Sequence, residues 1–266
     1  MTWVVGGTTL FGYGVAISDI RVTFQKADGE ITYIDCLQKV YPVGNFLVAG
    51  FAGSVRVGFE LIEDMRRFLS PNPPDMSWIP EWVAVNWRRR GRKIFSMAPL
   101  NEQKLSSSIL LVGIHPTHNL GDGRSPKGVA CVFKSPEFEP EFYEVNKFVS
   151  IGSGTEVEQY KKRLHDSTQI FDNSAIMMEA GRRGGWGYTI GDHLKMTLKK
   201  HREVTVSEHV QTFIVERGKM YISNNETTAI TAKGHVKFEM PPLAKSYGEF
   251  VELGEREKVS TSLASC

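Results

Sequence analysis

Thr2 follows directly on Met1, and a threonine in that place can supply both partners of a nucleophilic attack. It is small enough that removal of the initiator methionine is expected, which leaves an α-amine and a hydroxyl on one residue. An α-amine titrates at about 7.7 to 8.0, so near neutral pH much of it can serve as general base. Nucleophile and base are then a single group. Further along the chain are the residue types such a nucleophile needs. A lysine ammonium held near such a threonine and paired with a carboxylate would lower the amine's pKa by like charge and favour the deprotonated hydroxyl. A glycine where a strand gives way to a helix can offer an unpaired backbone N–H to the negative charge that develops in a tetrahedral intermediate. On residue type alone, Asp19 and Lys39 read first as a structural ion pair.

The order of short motifs narrows the reading. Ser18-Asp19-Ile20-Arg21-Val22-Thr23 closes an early strand, Lys39 follows, Gly50-Phe51-Ala52-Gly53-Ser54 joins a strand to a helix, and Gly152-Ser153-Gly154 does the same later. In this order and spacing they resemble the proteasome β-type subunits, the self-compartmentalised N-terminal-threonine peptidases that include HslV and its bacterial relatives. The resemblance covers residues 2 to about 60 and 145 to 165 well, and 198 to 216 loosely. It implies Thr2 as nucleophile, Asp19 and Lys39 as its charged partners, Gly53 as oxyanion donor and Ser153 beside the amine. It implies peptide or unfolded-protein substrates, a homo-oligomeric ring or related assembly, a possible ATP-dependent unfoldase, no metal and no cofactor. The fold it implies is α+β, a four-layer αββα sandwich of two antiparallel sheets between helical layers.

The same correspondence gives the substrate-binding positions Arg21, Val22, Thr23, Leu37, Tyr41, Phe51 and Val55, with Phe59 either joining them or serving as plain core. Leu37 and Tyr41 flank Lys39 at two-residue spacing, so on one strand all three share a face, and the apolar members suggest a large apolar side chain before the scissile bond. Two departures stand out. The family's Arg-Asp-x-x-Ser-Gly becomes Arg202-Glu203-Val204-Thr205-Val206-Ser207-Glu208, leaving Glu203 and Ser207 as possible support for the amine. Gly6-Gly7-Thr8-Thr9 also imitates a self-cleavage junction, which makes Thr8 a rival nucleophile, although Thr2 keeps Asp19 at the better spacing.

The elements that must position these groups follow from pattern. Strands rich in Val, Ile, Thr and aromatics are expected over Trp3–Leu10, Tyr13–Asp19, Gly29–Tyr41 and Asn45–Ala49. Helices are expected from Ser54, where apolar residues recur every three or four positions, and from Pro80 towards Phe95. Strands over Ser108–Ile114, Gly128–Lys134 and Phe142–Ile151 come next, then helices over Thr155–His165 and within Ser174–Arg202, the latter broken by Gly181, Gly184, Gly185 and Gly187. Hairpins over His209–Ser223 and Thr227–Met240 precede a polar tail. Helices grouped apart from antiparallel strands point to one layered domain over 1–245 with a tail over 246–266.

Composition excludes several classes. The 266 residues suffice for a core without staples, and 32 Lys+Arg against 30 Asp+Glu leave no global charge to recruit nucleic acid or a membrane. Three scattered cysteines, Cys36, Cys131 and Cys266, form no CxxC pair and suit a reducing cytoplasm. The run Arg88-Arg89-Arg90-Gly91-Arg92-Lys93 reads as a solvated face or subunit contact, His115 and His118 lack a third ligand, and Trp78, Trp82 and Trp87 read as packing. A non-catalytic scaffold of the same shape and a small-amide N-terminal-nucleophile amidohydrolase remain the alternative readings.

Overall fold

The structure is a computed structural model that describes residues 2–25, 29–70, 79–169, 186–217, 219–225, 227–231, 234–238, 240–257 and 264–266. Met1, Trp78, Gly181, Gly184 and Gly185 lie outside the described residues. The chain is mixed α and β, and its strands pair antiparallel in several sheets.

The chain opens with β1 (Val4–Thr8), β2 (Gly14–Asp19), β3 (Arg21–Gln25), β4 (Ile31–Asp35), β5 (Val40–Gly44) and β6 (Leu47–Gly53). The helices α1 (Val55–Leu69), α2 (Pro80–Met97) and α3 (Leu100–Gln103) follow, then β7 (Ser107–Asn119), β8 (Pro126–Lys134), β9 (Glu141–Tyr143) and β10 (Phe148–Ile151). A 3₁₀ turn over Ser153–Glu156 leads into α4 (Glu158–Gln169) and α5 (Trp186–Lys200). The chain then runs through β11 (Val210–Glu216), β12 (Lys219–Asn225), β13 (Thr227–Thr231), β14 (Gly234–Phe238) and α6 (Tyr247–Arg256).

One five-stranded sheet has the order β10-β1-β2-β11-β12 and the other β5-β6-β7-β8-β9. Side-chain alternation sorts the core into three groups. Val4, Ala16, Leu110, Val112, Val132 and Phe213, drawn from both sheets, form one buried cluster. Their neighbours on β1 and β2, Val5, Val15 and Ile17, turn the other way onto Tyr160, Leu164, Leu194 and Leu198 of α4 and α5. A third cluster joins α1, α2 and α6 to the second sheet through Phe51, Leu61, Met65, Trp87, Phe133 and Phe250. β1, β2 and nearly all of β6 are buried on both faces, which is why β6 reads as a run of apolar and small residues without polar alternation.

Three expected elements differ for physical reasons. The strand expected over Gly29–Tyr41 breaks at Cys36, because the N–H groups of Cys36 and Leu37 both donate to Ile20 O and Leu37 bridges Ala244 instead of continuing the ladder. The strand expected over Phe142–Ile151 is two strands in different sheets, joined by a turn with Asn146 at φ 71°. The segment read as a polar tail contains α6, started by Ser246, whose Oγ accepts from Glu249 N, and fixed by the fully buried Phe250. Among the described residues no helix is long and apolar enough to cross a membrane.

Candidate active site

Thr2 sits just before β1, whose pairing to both β2 and β10 fixes its direction. Its side chain is buried, and the backbone is tied on both sides. Gly154 N donates to Thr2 O at 2.9 Å, while Trp3 N reaches Asp19 Oδ1 at 2.9 Å. This approach depends on Gly152 (φ 89°), where an added Cβ would lie 2.4 Å from Thr2 O.

Lys39 fills the space between Thr2 and Asp19. Its Nζ donates to Thr2 Oγ1 at 2.8 Å, to Asp19 Oδ1 at 2.8 Å and to Arg21 O at 2.6 Å. An ammonium has three N–H groups, and each is used. Both side chains of the Lys39–Asp19 pair are wholly removed from solvent, so the pair is tenable only because its hydrogen bonds are complete. Asp19 meets that condition too, since Oδ2 accepts from Arg21 N at 3.0 Å and Ser207 N at 3.3 Å. On the far side of Thr2, its N–H donates to Ser153 Oγ at 3.1 Å.

Gly53 closes β6 at φ 105°, a left-handed conformation, and a Cβ there would meet Ser106 O at 2.4 Å. Ser54 next to it caps α1, its Oγ accepting from Val57 N at 3.1 Å and donating to the buried Glu102 carboxylate. The Gly53 N–H is not free: it donates to Cys266 O at 2.5 Å. A cleft of about 480 Å³ lies alongside, lined by Gly53, Ser106, Ser107, Gly152, Ser153 and Cys266.

The proposed nucleophile, its two charged partners, the serine and the glycine donor are therefore brought together. Thr8 is not among them. It pairs with Gly14 at the other end of β1, and its Oγ1 has no hydrogen-bond partner among the described residues. Glu203 also stands apart, exposed on the segment between α5 and β11, so the expectation that its carboxylate supports the amine gives way to a different arrangement. Ser207 is the member of that motif that reaches the site. Its Oγ donates to Asp35 Oδ2 at 2.7 Å, while Asp35 Oδ1 accepts from Arg21 Nε at 2.6 Å. Burial raises the Asp35 carboxyl, but the bonds from Arg21 and Ser207 and the Arg21 charge outweigh it, and it titrates below the ordinary 3.8. Sequence reasoning missed Asp35. Its place opposite Arg21 in the β3–β4 hairpin is a register that only the folded pairing reveals.

Among the expected substrate-binding residues, Arg21 turns its side chain to Asp35 rather than into the cleft. Thr23 exchanges backbone hydrogen bonds with Ser265, which lines the cleft. Val22, Leu37, Tyr41, Phe51, Val55 and Phe59 are all buried in one cluster with Ala264 and Cys266. The rings of Tyr41, Phe51 and Phe59 stand 5.5 to 6.3 Å apart, and Tyr41 Oη donates to Gln38 O at 2.5 Å. With the tail seated, this wall encloses the small side chain of Cys266 rather than a large apolar one.

No family model matches the chain, and no curated protein is similar enough to count as a relative. What bears on function is therefore the geometry. Among the described residues no group of three or more His, Cys, Asp or Glu could hold a metal ion. His115 and His118 stack on each other with centroids 4.0 Å apart, and Arg217 donates to the carbonyls of both. In the basic run, Arg88 and Arg92 pair with Glu139 and Arg90 pairs with Asp64. Trp87 is fully buried and donates its indole N–H to Asp64 Oδ1, while Trp82 stacks on Phe68.

Proposed function

We propose that the chain is an N-terminal threonine peptidase of the proteasome β-type, built as a four-layer αββα sandwich and working in a homo-oligomer. The observation that carries this reading is the buried contact of Lys39 Nζ with Thr2 Oγ1 and Asp19 Oδ1, 2.8 Å each. With Met1 attached, Thr2 N is an amide without basicity. Once Met1 is removed it is an amine next to its own hydroxyl, with Ser153 Oγ 3.1 Å away to orient it. The hydroxyl attacks the peptide carbonyl and its proton passes to the amine, directly or through water. The Lys39 charge stabilises the oxygen as it becomes anionic, and the Gly53 N–H receives the developing oxyanion. The leaving amine takes the proton, and water then hydrolyses the Thr2 ester.

The cleft also suits peptides better than small amides. Thr23 and Gly53 present backbone donors and acceptors along an extended edge, the groups that pair with a strand-like substrate. One observation favours a second reading, a non-catalytic binding subunit: the Gly53 donor is already engaged by Cys266 O.

Intact-mass measurement and a panel of fluorogenic peptides test the proposal. A mass lacking Met1, with turnover abolished in Thr2→Ala, supports the peptidase. Retained Met1, or turnover unchanged in Thr2→Ala, removes Thr2 from the chemistry and leaves the binding reading.

A further inference from the structure

Residues 264–266 lie between β3 and the β6–α1 junction as an added strand, and Ser265 and Cys266 form part of the lining of the adjoining cleft. Ser265 N donates to Thr23 O at 3.0 Å and Thr23 N to Ser265 O at 2.9 Å, an antiparallel bridge to β3. On the opposite side Cys266 N donates to Gly53 O at 2.8 Å, Gly53 N to Cys266 O at 2.5 Å and Val55 N to Ala264 O at 3.2 Å. Side chains alternate as a strand requires, with Ala264 and Cys266 buried against the Tyr41 wall and Ser265 between them partly exposed. Burial pushes the Cys266 thiol up to about 11, against the pull of Lys39 and Thr2. Upstream, α6 is anchored by Phe250 stacking on Phe24 and Tyr247 meeting Phe59, with centroids 5.4 and 6.2 Å apart.

We propose that Ala264-Ser265-Cys266 is a built-in occupant of the peptide cleft, which keeps the site closed until the segment withdraws. Calling the cleft a substrate site rests on the peptidase reading above, whereas occupancy by the segment is a binding claim that stands by itself. The occupant uses the groups a substrate needs. Gly53 N–H, the proposed oxyanion donor, is filled by the backbone oxygen of Cys266, and Thr23, Gly53 and Val55 spend their backbone groups on the segment. The alternation defines the ligand class as an extended peptide with small side chains at alternate positions, the last one seated beside Thr2.

Two variants separate the segment from the site. One lacks residues 264–266. The other is Ser265→Pro, which removes the N–H that donates to Thr23 O and leaves the chain length unchanged. A fluorescent synthetic peptide of sequence 261–266 should bind the shortened chain and bind the full chain at least tenfold more weakly. Iodoacetamide, with the modified cysteine located by mass spectrometry, should alkylate Cys266 at least tenfold faster in Ser265→Pro than in the unaltered chain. Once Met1 is removed, peptide turnover should rise at least tenfold in both variants, and the synthetic peptide should reverse the rise in the shortened chain. Equal peptide binding by full and shortened chains, or equal alkylation of Cys266, overturns the proposal. If neither variant turns over peptide, the peptidase reading fails alone, because binding and alkylation still decide the occupant.

Discussion

Lys39 Nζ donates to Thr2 Oγ1 across 2.8 Å from a side chain with no exposure to solvent. A charge held there at such cost has to be paired, and Asp19 is the partner. Removing one member therefore does more than remove a catalytic group. Lys39→Met should abolish turnover and also lower stability by about 3 to 5 kcal/mol, since Asp19 is left buried and uncompensated. The double variant Lys39→Met with Asp19→Asn should regain part of that stability and none of the turnover. Denaturant unfolding beside a peptide assay checks both. Activity in the double variant would make the pair structural only.

The second charged pair carries a pH signature. The Asp35 carboxyl titrates below its ordinary 3.8 in the folded chain, through Arg21 and Ser207 working against burial. A depressed acid pKa means that its stabilisation is complete above the unfolded value and is lost as pH falls through the folded one. Asp35→Asn should therefore cost about 1 to 2 kcal/mol at pH 7. The difference from the unaltered chain should shrink steadily below about pH 4, where the carboxyl protonates. Unfolding measured at several pH values checks it, and a difference that stays constant down to pH 2 refutes the assignment.

The two residues of the motif before β11 have different surroundings. Ser207 ties Asp19 to Asp35 through its N–H and its hydroxyl, while Glu203 is exposed. Ser207→Ala should lower stability by about 1 kcal/mol, the usual worth of one partly buried hydrogen bond. Glu203→Gln should change neither stability nor turnover. A turnover defect in Glu203→Gln would restore the role that the family resemblance suggests.

How far the site could be read in advance depends on the separation of its parts. Thr2, Asp19 and Ser153 were visible because each lies at a distinctive place or in a short motif, and Lys39 because of its spacing between such motifs. Asp35 was not, since its meaning comes from facing Arg21 across the β3–β4 hairpin and Ser207 from the far end of the chain. The strand break at Cys36 was hidden for the same reason, being set by Ile20 O and Ala244 rather than by anything in Cys36-Leu37. Helices α1 and α2 were legible from apolar recurrence and from Ser54 and Pro80 at their starts. Ala264-Ser265-Cys266 carries no pattern at all, because a strand that adds to an existing edge is held by backbone groups and needs only side chains small enough to fit.

Gly53 gives the most demanding test, because two requirements meet there. Its φ of 105° disfavours any side chain, and a Cβ would press on Ser106 O at 2.4 Å, an atom fixed by accepting from Ser54 N. Gly53→Ala should thus displace the β6–α1 junction and cost about 1 to 3 kcal/mol. Since the same N–H is the proposed oxyanion donor, turnover should fall by about 10² to 10³ even where the variant remains folded. Ser106→Gly, which leaves the carbonyl and the Gly53 N–H in place, is the control and should keep most of the activity. Stability and turnover measured on both variants separate strain from catalysis: a Gly53→Ala protein that is folded and fully active would show that the oxyanion is held elsewhere.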